Sequence, residues 1–279
     1  MDARVQRRVQ RYGWDLAVEA YEPLWQAQVA AAHARLLACA APGPGERVLD
    51  VACGTGLVSF AAARAVGPRG AVLGVDLSGR MVAFARHRAD VRQVANARFE
   101  RMGAEKLELA EASFDVALCA LGLMYVPDPA QALREMRRVL RPGGRLAVAV
   151  WGERGRCGWS PVLTIVASEV SSEVCPLFFG LGSRDALERA CAEAGFVAFE
   201  SHRVSATIGY ADEEEACDAA FLGGPVALAW SRFDGAARSK VRRRYLEAIA
   251  PWRHGRGYRI PGEFVVACAA RPGAHAPVR

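Results

Sequence analysis

The stretch Arg47–Ser59, reading RVLDVACGTGLVS, constrains this chain more than any other. Val48, Leu49, Val51 and Ala52 form a short apolar run broken only by Asp50, the pattern of a strand buried on both faces. Cys53-Gly54-Thr55-Gly56 then turns the chain, and Leu57 to Val66 reads as a helix that stops at Gly67-Pro68. Strand, glycine turn and helix in that order build one edge of a small-molecule crevice. Glycines let backbone approach a ligand closely, and amide N–H groups at the helix start point into the same space.

Neighbouring residues restrict the ligand. A turn that cradles a pyrophosphate carries a third glycine where Ser59 stands. Asp50, negative at the carboxyl end of its strand, suits an ammonium better than a pyrophosphate. Asp76 closes a second strand, Ala71 to Val75, at the distance beyond Gly56 where a carboxylate accepts the hydroxyls of a ribose. An amino acid joined to an adenosine meets both demands.

With these residues in place the sequence resembles the class I S-adenosylmethionine-dependent methyltransferases, in the broad group that includes the quinone-biosynthesis C-methyltransferases. The resemblance is carried by VLDVACGTG (48–56), GVDLSGRMV (74–82), GAEKL (103–107), FDVALCALGLMYVPDP (114–129) and LRPGGRLAV (140–148). Outside residues 46–151 it is architectural only. It implies a Rossmann-like, doubly wound α/β fold with a seven-stranded sheet whose last strand inserts antiparallel. S-adenosyl-L-methionine is the implied cofactor. Asp50 is then assigned to the methionine ammonium, Ala52, Gly54 and Gly56 to close backbone approach, and Asp76 to the ribose diol. Leu77 and Met81 pack on adenine, Ala104 meets its edge through backbone, and Cys119 with Ala120 lies under the methionine moiety. Related enzymes carry an aspartate where Gly103 stands, so Glu105 or backbone alone must satisfy the adenine amino group.

The element pattern divides the chain into an N-terminal helical cover (1–45), a cofactor-binding core (46–151) and a remainder (152–279) of lid loop, lid helices and the last two strands. Residues 12–40 have helical periodicity, and Pro23 predicts two helices or one broken there. Alternating strands and helices from Glu46 argue a parallel sheet covered on both faces. Asp212 to Ala250 reads as charged helix between two strands, Phe196–Ile208 and Gly262–Ala270. The apolar run 174–182, bracketed by proline and glycine, reads as a lid near the cofactor.

Composition narrows the partners. No apolar run approaches the ~20 residues of a membrane span, and the Arg-rich N-terminus lacks the apolar region of a secretory signal. The net charge of +6 is almost entirely arginine, with Lys106 and Lys240 the only lysines, and reads as solvated faces rather than a nucleic-acid surface. The eight cysteines form no C-x-x-C pair and no zinc spacing. A reduced, cytoplasmic setting with no metal fits them best.

The sequence therefore predicts methyl transfer to a small, hydrophobic or aromatic acceptor, on oxygen, nitrogen or carbon. Positioning alone can remove ~7–11 kcal/mol of barrier, so no dedicated base is required. Tyr125, in the loop after the fourth strand, is the candidate that orients the acceptor. Tyr21, Trp25, Trp159 and Phe178 are the candidate pocket walls. A quinone-type C-methyltransferase is the competing acceptor class, and a protein substrate stays open. From other classes stand a non-catalytic S-adenosylmethionine binder and a dinucleotide oxidoreductase. A nucleic-acid enzyme is disfavoured, since no [D/N/S]-P-P-[Y/F] follows the fourth strand. A homodimer is compatible with the inserted helices.

Overall fold

The computed structural model describes residues 3–170 and 178–273. Helix α1 spans Ala3–Ala40 without interruption, although Pro23 lies inside it. Proline removes one hydrogen bond and costs an interior helix ~3 kcal/mol. Packing outweighs that cost: Ala17, Val18, Trp25, Val29, Ala32, Leu36 and Ala40 bury one continuous stripe. Two polar anchors add to it. Trp25 Nε1 donates to Ala219 O at 3.1 Å, and the Gln28 amide pairs both ways with the Gly209 backbone, at 2.6 and 3.0 Å.

The sheet begins with β1 (Arg47–Val51), β2 (Ala71–Asp76), β3 (Ala97–Arg101), β4 (Phe114–Ala120) and β5 (Leu140–Trp151), all parallel to their neighbours. β6 (Val197–Tyr210) and β8 (Gly257–Ala270) complete the order β3-β2-β1-β4-β5-β8-β6. β8 runs antiparallel to both β5 and β6. This is the seven-strand path the resemblance implies. A two-residue β7 (Arg253–His254) forms a hairpin with the start of β8 and makes an eighth strand. β5 starts six residues earlier than Leu146, and a register shift between Phe114 and Val116 lets its Pro-Gly-Gly segment join the sheet edge.

Helices fill both faces. α2 (Leu57–Val66) follows the glycine turn, and α3 (Gly79–Val91) is capped by Ser78, whose hydroxyl accepts from Met81 N. α4 (Pro129–Val139) begins with Asp128 as cap and Pro129 in its first turn. Beyond β5 come α5 (Pro161–Ala167) and α6 (Ala186–Glu193). The charged segment after β6 forms three helices, α7 (Glu213–Phe221), α8 (Ala227–Arg232) and α9 (Gly235–Ile249). Gly223-Gly224-Pro225 separates the first two, and Asp234 caps the third.

Of the proposed lid, residues 174–177 lie outside the described residues. Phe178 to Gly182 forms a turn pressed against β5, so tightly that a Cβ on Gly182 would meet Trp151 O at 2.0 Å. Cys39 at the end of α1 and Cys268 in β8 are disulfide-bonded, with Cα atoms 6.1 Å apart. This departs from the reduced setting expected of all eight cysteines; the sequence paired none, because these two are brought together only by the docking of α1 on the sheet. No helix among the described residues is long and apolar enough to cross a membrane.

Candidate functional site

β1 pairs with β2 on one side and β4 on the other, so strand order reverses at the carboxyl end of β1. Crevices open at such switch points. Here a cleft lies under the first half of α1, lined by Trp14 and Tyr21 above and by Ala52, Gly54, Asp76 and Gly122 below. Two loops form its floor. Ala52 (φ 57°) and Leu121 (φ 59°) both adopt the left-handed conformation, which costs a non-glycine residue ~1–2 kcal/mol. Gly122 lies between these loops: a Cβ there would stand 2.3 Å from the Ala52 Cβ.

Asp76 braces the turn. Its Oδ2 accepts from Gly54 N at 2.9 Å and its Oδ1 from Ser78 N at 2.8 Å. Burial raises its pKa, only partly offset by these backbone donors. The Ser78 hydroxyl donates to Asp15 Oδ1 at 2.6 Å and so ties α3 to the roof. Gly54 (φ 54°) has open space where its Cβ would project.

Asp50 is 1% exposed. Its Oδ2 accepts from Ser59 Oγ at 2.5 Å, while Oδ1 has no partner among the described residues. Burial pushes its pKa up to about 7, the Ser59 bond opposes that rise, and the nearby Asp76 charge adds to it. Ser59 thus occupies the third-glycine position in order to hold the buried carboxylate. Asp50, Thr55, His33 and Tyr21 line a small chamber that shares Ala52, Gly54 and Ala120 with the main cleft. Thr55 Oγ1 is also buried, with no partner among the described residues. A buried carboxyl oxygen without a donor fits a group that brings its own N–H, so an ammonium-bearing ligand suits this chamber.

A pH linkage follows. Because the folded pKa of Asp50 is raised from 3.8 to about 7, its contribution to stability is complete below pH 4 and is lost as pH rises towards 7. An ammonium ligand favours the ionised form and shifts the balance the other way. The affinity of S-adenosylhomocysteine should therefore rise with pH up to about 7 and binding at pH 6 should release a proton. Calorimetry in two buffers of different ionisation heat measures this. An affinity flat from pH 5.5 to 8, unchanged in Asp50→Asn, would remove Asp50 from the ligand's contacts.

On the far side, Leu77, Met81, Met102, Gly103, Ala104 and Glu105 line the cleft. Glu105 is engaged elsewhere. Its Oε2 pairs with Arg7 Nε at 2.6 Å and its Oε1 accepts from Asp128 N at 3.0 Å. It therefore clips the β3 loop to α1 and to the start of α4. Gly103 bridges to Lys106, and a Cβ there would lie in ordinary contact with Leu77 Cδ1 at 4.0 Å.

The remaining candidates separate into lining and supporting residues. Tyr21, Tyr125 and Ala120 line the cleft. Burial, with Asp76 nearby, pushes the Tyr21 hydroxyl up to about 12, so it is protonated at neutral pH. Tyr125 meets Trp14 and Phe178 edge-on, with centroids 5.2 and 5.3 Å apart. Gly56 (φ 87°) starts α2 instead of facing the cleft, with Phe60 and Phe99 filling the space a Cβ would need. Cys119 is buried beneath Ala120, and burial lifts its thiol to about 12, so it stays neutral. Trp25, Trp159 and Phe178 do not wall this cleft. They pack with Trp151 in an aromatic cluster, each below 8% exposed, because β5 delivers Trp151 to the same layer. Arg7, Gln10, Arg11 and Trp14 line the roof instead. Trp14 is among the aromatics that could wall a pocket over the cofactor, whereas sequence reading missed Arg7, Gln10 and Arg11 because an arginine-rich helix end looks like a solvated face.

Taken together, the sheet order, the switch-point cleft and the braced glycine turn define a Rossmann-like nucleotide-cofactor fold. A family profile described as "Methyltransferase domain" matches residues 42–172. That segment, just under half of the chain, matches a methyltransferase domain, a family whose cofactor is S-adenosyl-L-methionine. The ubiquinone/menaquinone biosynthesis C-methyltransferase UbiE of Ectopseudomonas mendocina is 40% identical over 144 residues, 51% of this chain and 55% of its own length. The chain thus spans about half the length of the curated relatives it matches. Among solved structures, the [4+2]-cyclase SpnF has a TM-score of 0.62 at 22% identity, covering 90% of this chain and 83% of the cyclase. Phosphoethanolamine N-methyltransferase 2 of Haemonchus contortus, solved with S-adenosylhomocysteine, has a TM-score of 0.60 at 19% identity, covering 92% and 57%. At these identities the structures establish the shared fold.

Proposed function

We propose that this chain transfers a methyl group from S-adenosyl-L-methionine to a small, flat, largely hydrophobic acceptor, on oxygen, nitrogen or carbon. The observation that carries the cofactor half is the unpartnered, buried Asp50 oxygen beside a glycine turn braced by Asp76. In this reading Asp50 holds the ammonium, the remaining lone pairs of Asp76 take the ribose hydroxyls, and Leu77 and Met81 flank adenine. Glu105 is committed to Arg7 and Asp128, so the backbone of Gly103 and Ala104 meets the adenine edge.

The cofactor's sulfonium supplies an activated methyl group when bound. The chain's own work is to orient the acceptor, exclude water and keep nearby groups in fixed protonation states. Tyr125 and Trp14 offer flat faces, and Tyr21 offers a hydroxyl that stays protonated. Burial lowers the His33 pKa to about 4, so this imidazole is neutral at pH 7. Arg11 lines the cleft with its Nε buried and without a hydrogen-bond partner among the described residues, so the acceptor carries one hydrogen-bond acceptor beside its apolar surface. A quinone precursor is one such molecule. The likeness to a quinone C-methyltransferase supports it, but over only about half of either chain. We place the protein in the cytoplasm, acting on a small molecule rather than nucleic acid, with a homodimer compatible with the helices inserted after β6.

S-adenosylhomocysteine should raise the melting temperature and NAD should not. Ligand at one hundred times its dissociation constant adds about 2.7 kcal/mol. Stabilisation by NAD alone would overturn the cofactor assignment. Methyl transfer from labelled cofactor to a panel of phenols, quinols and aromatic amines tests the second half. A cyclase on the same fold motivates a second reading, a cofactor-binding protein without methyl transfer. Tight binding with no labelled product across the panel would favour it.

A further inference from the structure

Away from the cleft, α1 ends over the β6/β8 edge, and four metal-binding side chains converge there. β6 and β8 pair Glu200 with Cys268. His202, two residues along β6, shares the face of Glu200, because strand side chains alternate. Cys39 reaches the same point from α1, its sulfur bonded to that of Cys268. Ligand atoms of Cys39, Glu200 and His202 all lie within 4.8 Å of one another. We propose that, once a dithiol or phosphine reductant has supplied two electrons and solvent two protons to open the Cys39–Cys268 bond, Cys39, Cys268, His202 and Glu200 bind one zinc ion.

The donor set argues for zinc. Two thiolates, an imidazole and a carboxylate match a four-coordinate tetrahedral site, whose ~2.3 Å Zn–S bonds place two sulfurs about 3.8 Å apart. The 6.1 Å between the Cα atoms allows that separation through side-chain rotation alone. The cluster already gathers around a cation. Arg35 of α1 contacts both ring nitrogens of His202, with Nδ1 at 2.6 Å, and lies 3.4 Å from Glu200 Oε1. His202 Nε2 is 2.5 Å from the same carboxylate oxygen. Lone pairs thus converge on a guanidinium that is 39% exposed and free to swing into solvent when a metal takes its place. Cys268 is buried while Glu200 is 63% exposed, which gives the ion a path in. Each thiol releases its proton to solvent on binding, so affinity should increase with pH. With all four positions filled by protein, the ion would clamp α1 to the sheet and perform no chemistry.

The test uses the full chain, reduced with a phosphine, freed of metal and titrated with cobalt(II) and then zinc. One equivalent of cobalt should give thiolate charge-transfer absorption and tetrahedral visible bands, which zinc then displaces. Cys268→Ser should weaken zinc binding at least 100-fold and His202→Ala about 10–100-fold. The exposed Glu200→Ala should weaken it without threatening the fold. Arg35→Gln should tighten it by removing the competing cation, which a purely structural role for Arg35 would not do. S-adenosylhomocysteine binding checks that each variant is folded, and it keeps failure here separate from failure of the methyltransferase reading. The proposal is overturned if the reduced protein shows no thiolate–cobalt band. It is equally overturned if Cys268→Ser and His202→Ala leave affinity unchanged, or if the Cys39–Cys268 bond survives the phosphine.

Discussion

Gly122→Ala should lower the melting temperature by roughly 5–10 °C and weaken S-adenosylhomocysteine at least tenfold. Gly122 has φ −104°, open to any residue, so the penalty is steric. Its new methyl would stand 2.3 Å from the Ala52 Cβ and 3.3 Å from the Cys119 sulfur. Neither can retreat: Ala52 is held in its left-handed turn, and Cys119 is within the central strand β4. Overpacking of this kind costs ~1–3 kcal/mol, and relief by moving residues 52–54 displaces the cofactor turn itself. Gly54→Ala is the contrast. It meets nothing within 4 Å, so it pays only the ~1–2 kcal/mol of a left-handed alanine while its methyl projects into open space. Calorimetric melting and binding of both variants decide the matter. Gly122→Ala melting within 2 °C of the parent with unchanged affinity would mean the two loops are not locked together.

The second large effect is at Asp76. Asp76→Ala should weaken S-adenosylhomocysteine by about 100-fold, since it removes a charged acceptor worth ~1.5–3 kcal/mol and also unpairs Gly54 N and Ser78 N. Asp76→Asn, which keeps one acceptor oxygen, should fall between. Asp115→Ala is the control. Asp115 accepts from Arg47 N at 2.8 Å and pairs with Arg141 at the opposite end of the sheet. Its loss should cost about 1 kcal/mol of stability and leave affinity intact. An unchanged affinity in Asp76→Ala, by titration calorimetry, would show that the end of β2 does not meet the cofactor.

The cofactor half was legible because its signals are local. Strand β1, its turn and α2 fall where the alternation of apolar run, glycines and helix places them. Asp50, Ala52, Gly54 and Asp76 gather there because strand ends in a parallel sheet share one edge. The long-range features were not legible. Pro23 argues for a break, and only the buried stripe of α1, a tertiary quantity, overrides it. Trp159 and Phe178 are as apolar as pocket walls, and sequence alone does not tell a wall from the layer behind it. Glu105 could be placed in the cleft, but not known to be occupied by Arg7, which is far from it in sequence. Cysteine spacing rules find ligands on one hairpin, whereas Cys39, His202 and Cys268 come from three elements.

The proline within α1 has a consequence for how the cleft is entered. The half before it carries Arg7, Gln10, Arg11, Trp14 and Tyr21 over the cleft. The half after it is fastened to the sheet side by Trp25, Gln28 and Cys39. Proline has no amide hydrogen, so the hydrogen-bond ladder lacks a rung at the boundary between the two. The molecule therefore has a roof beam notched where its fixed and its covering lengths meet. Lifting the covering length must break its ties to Glu105 and Ser78, whereas the anchored length keeps its hold on the sheet beneath it.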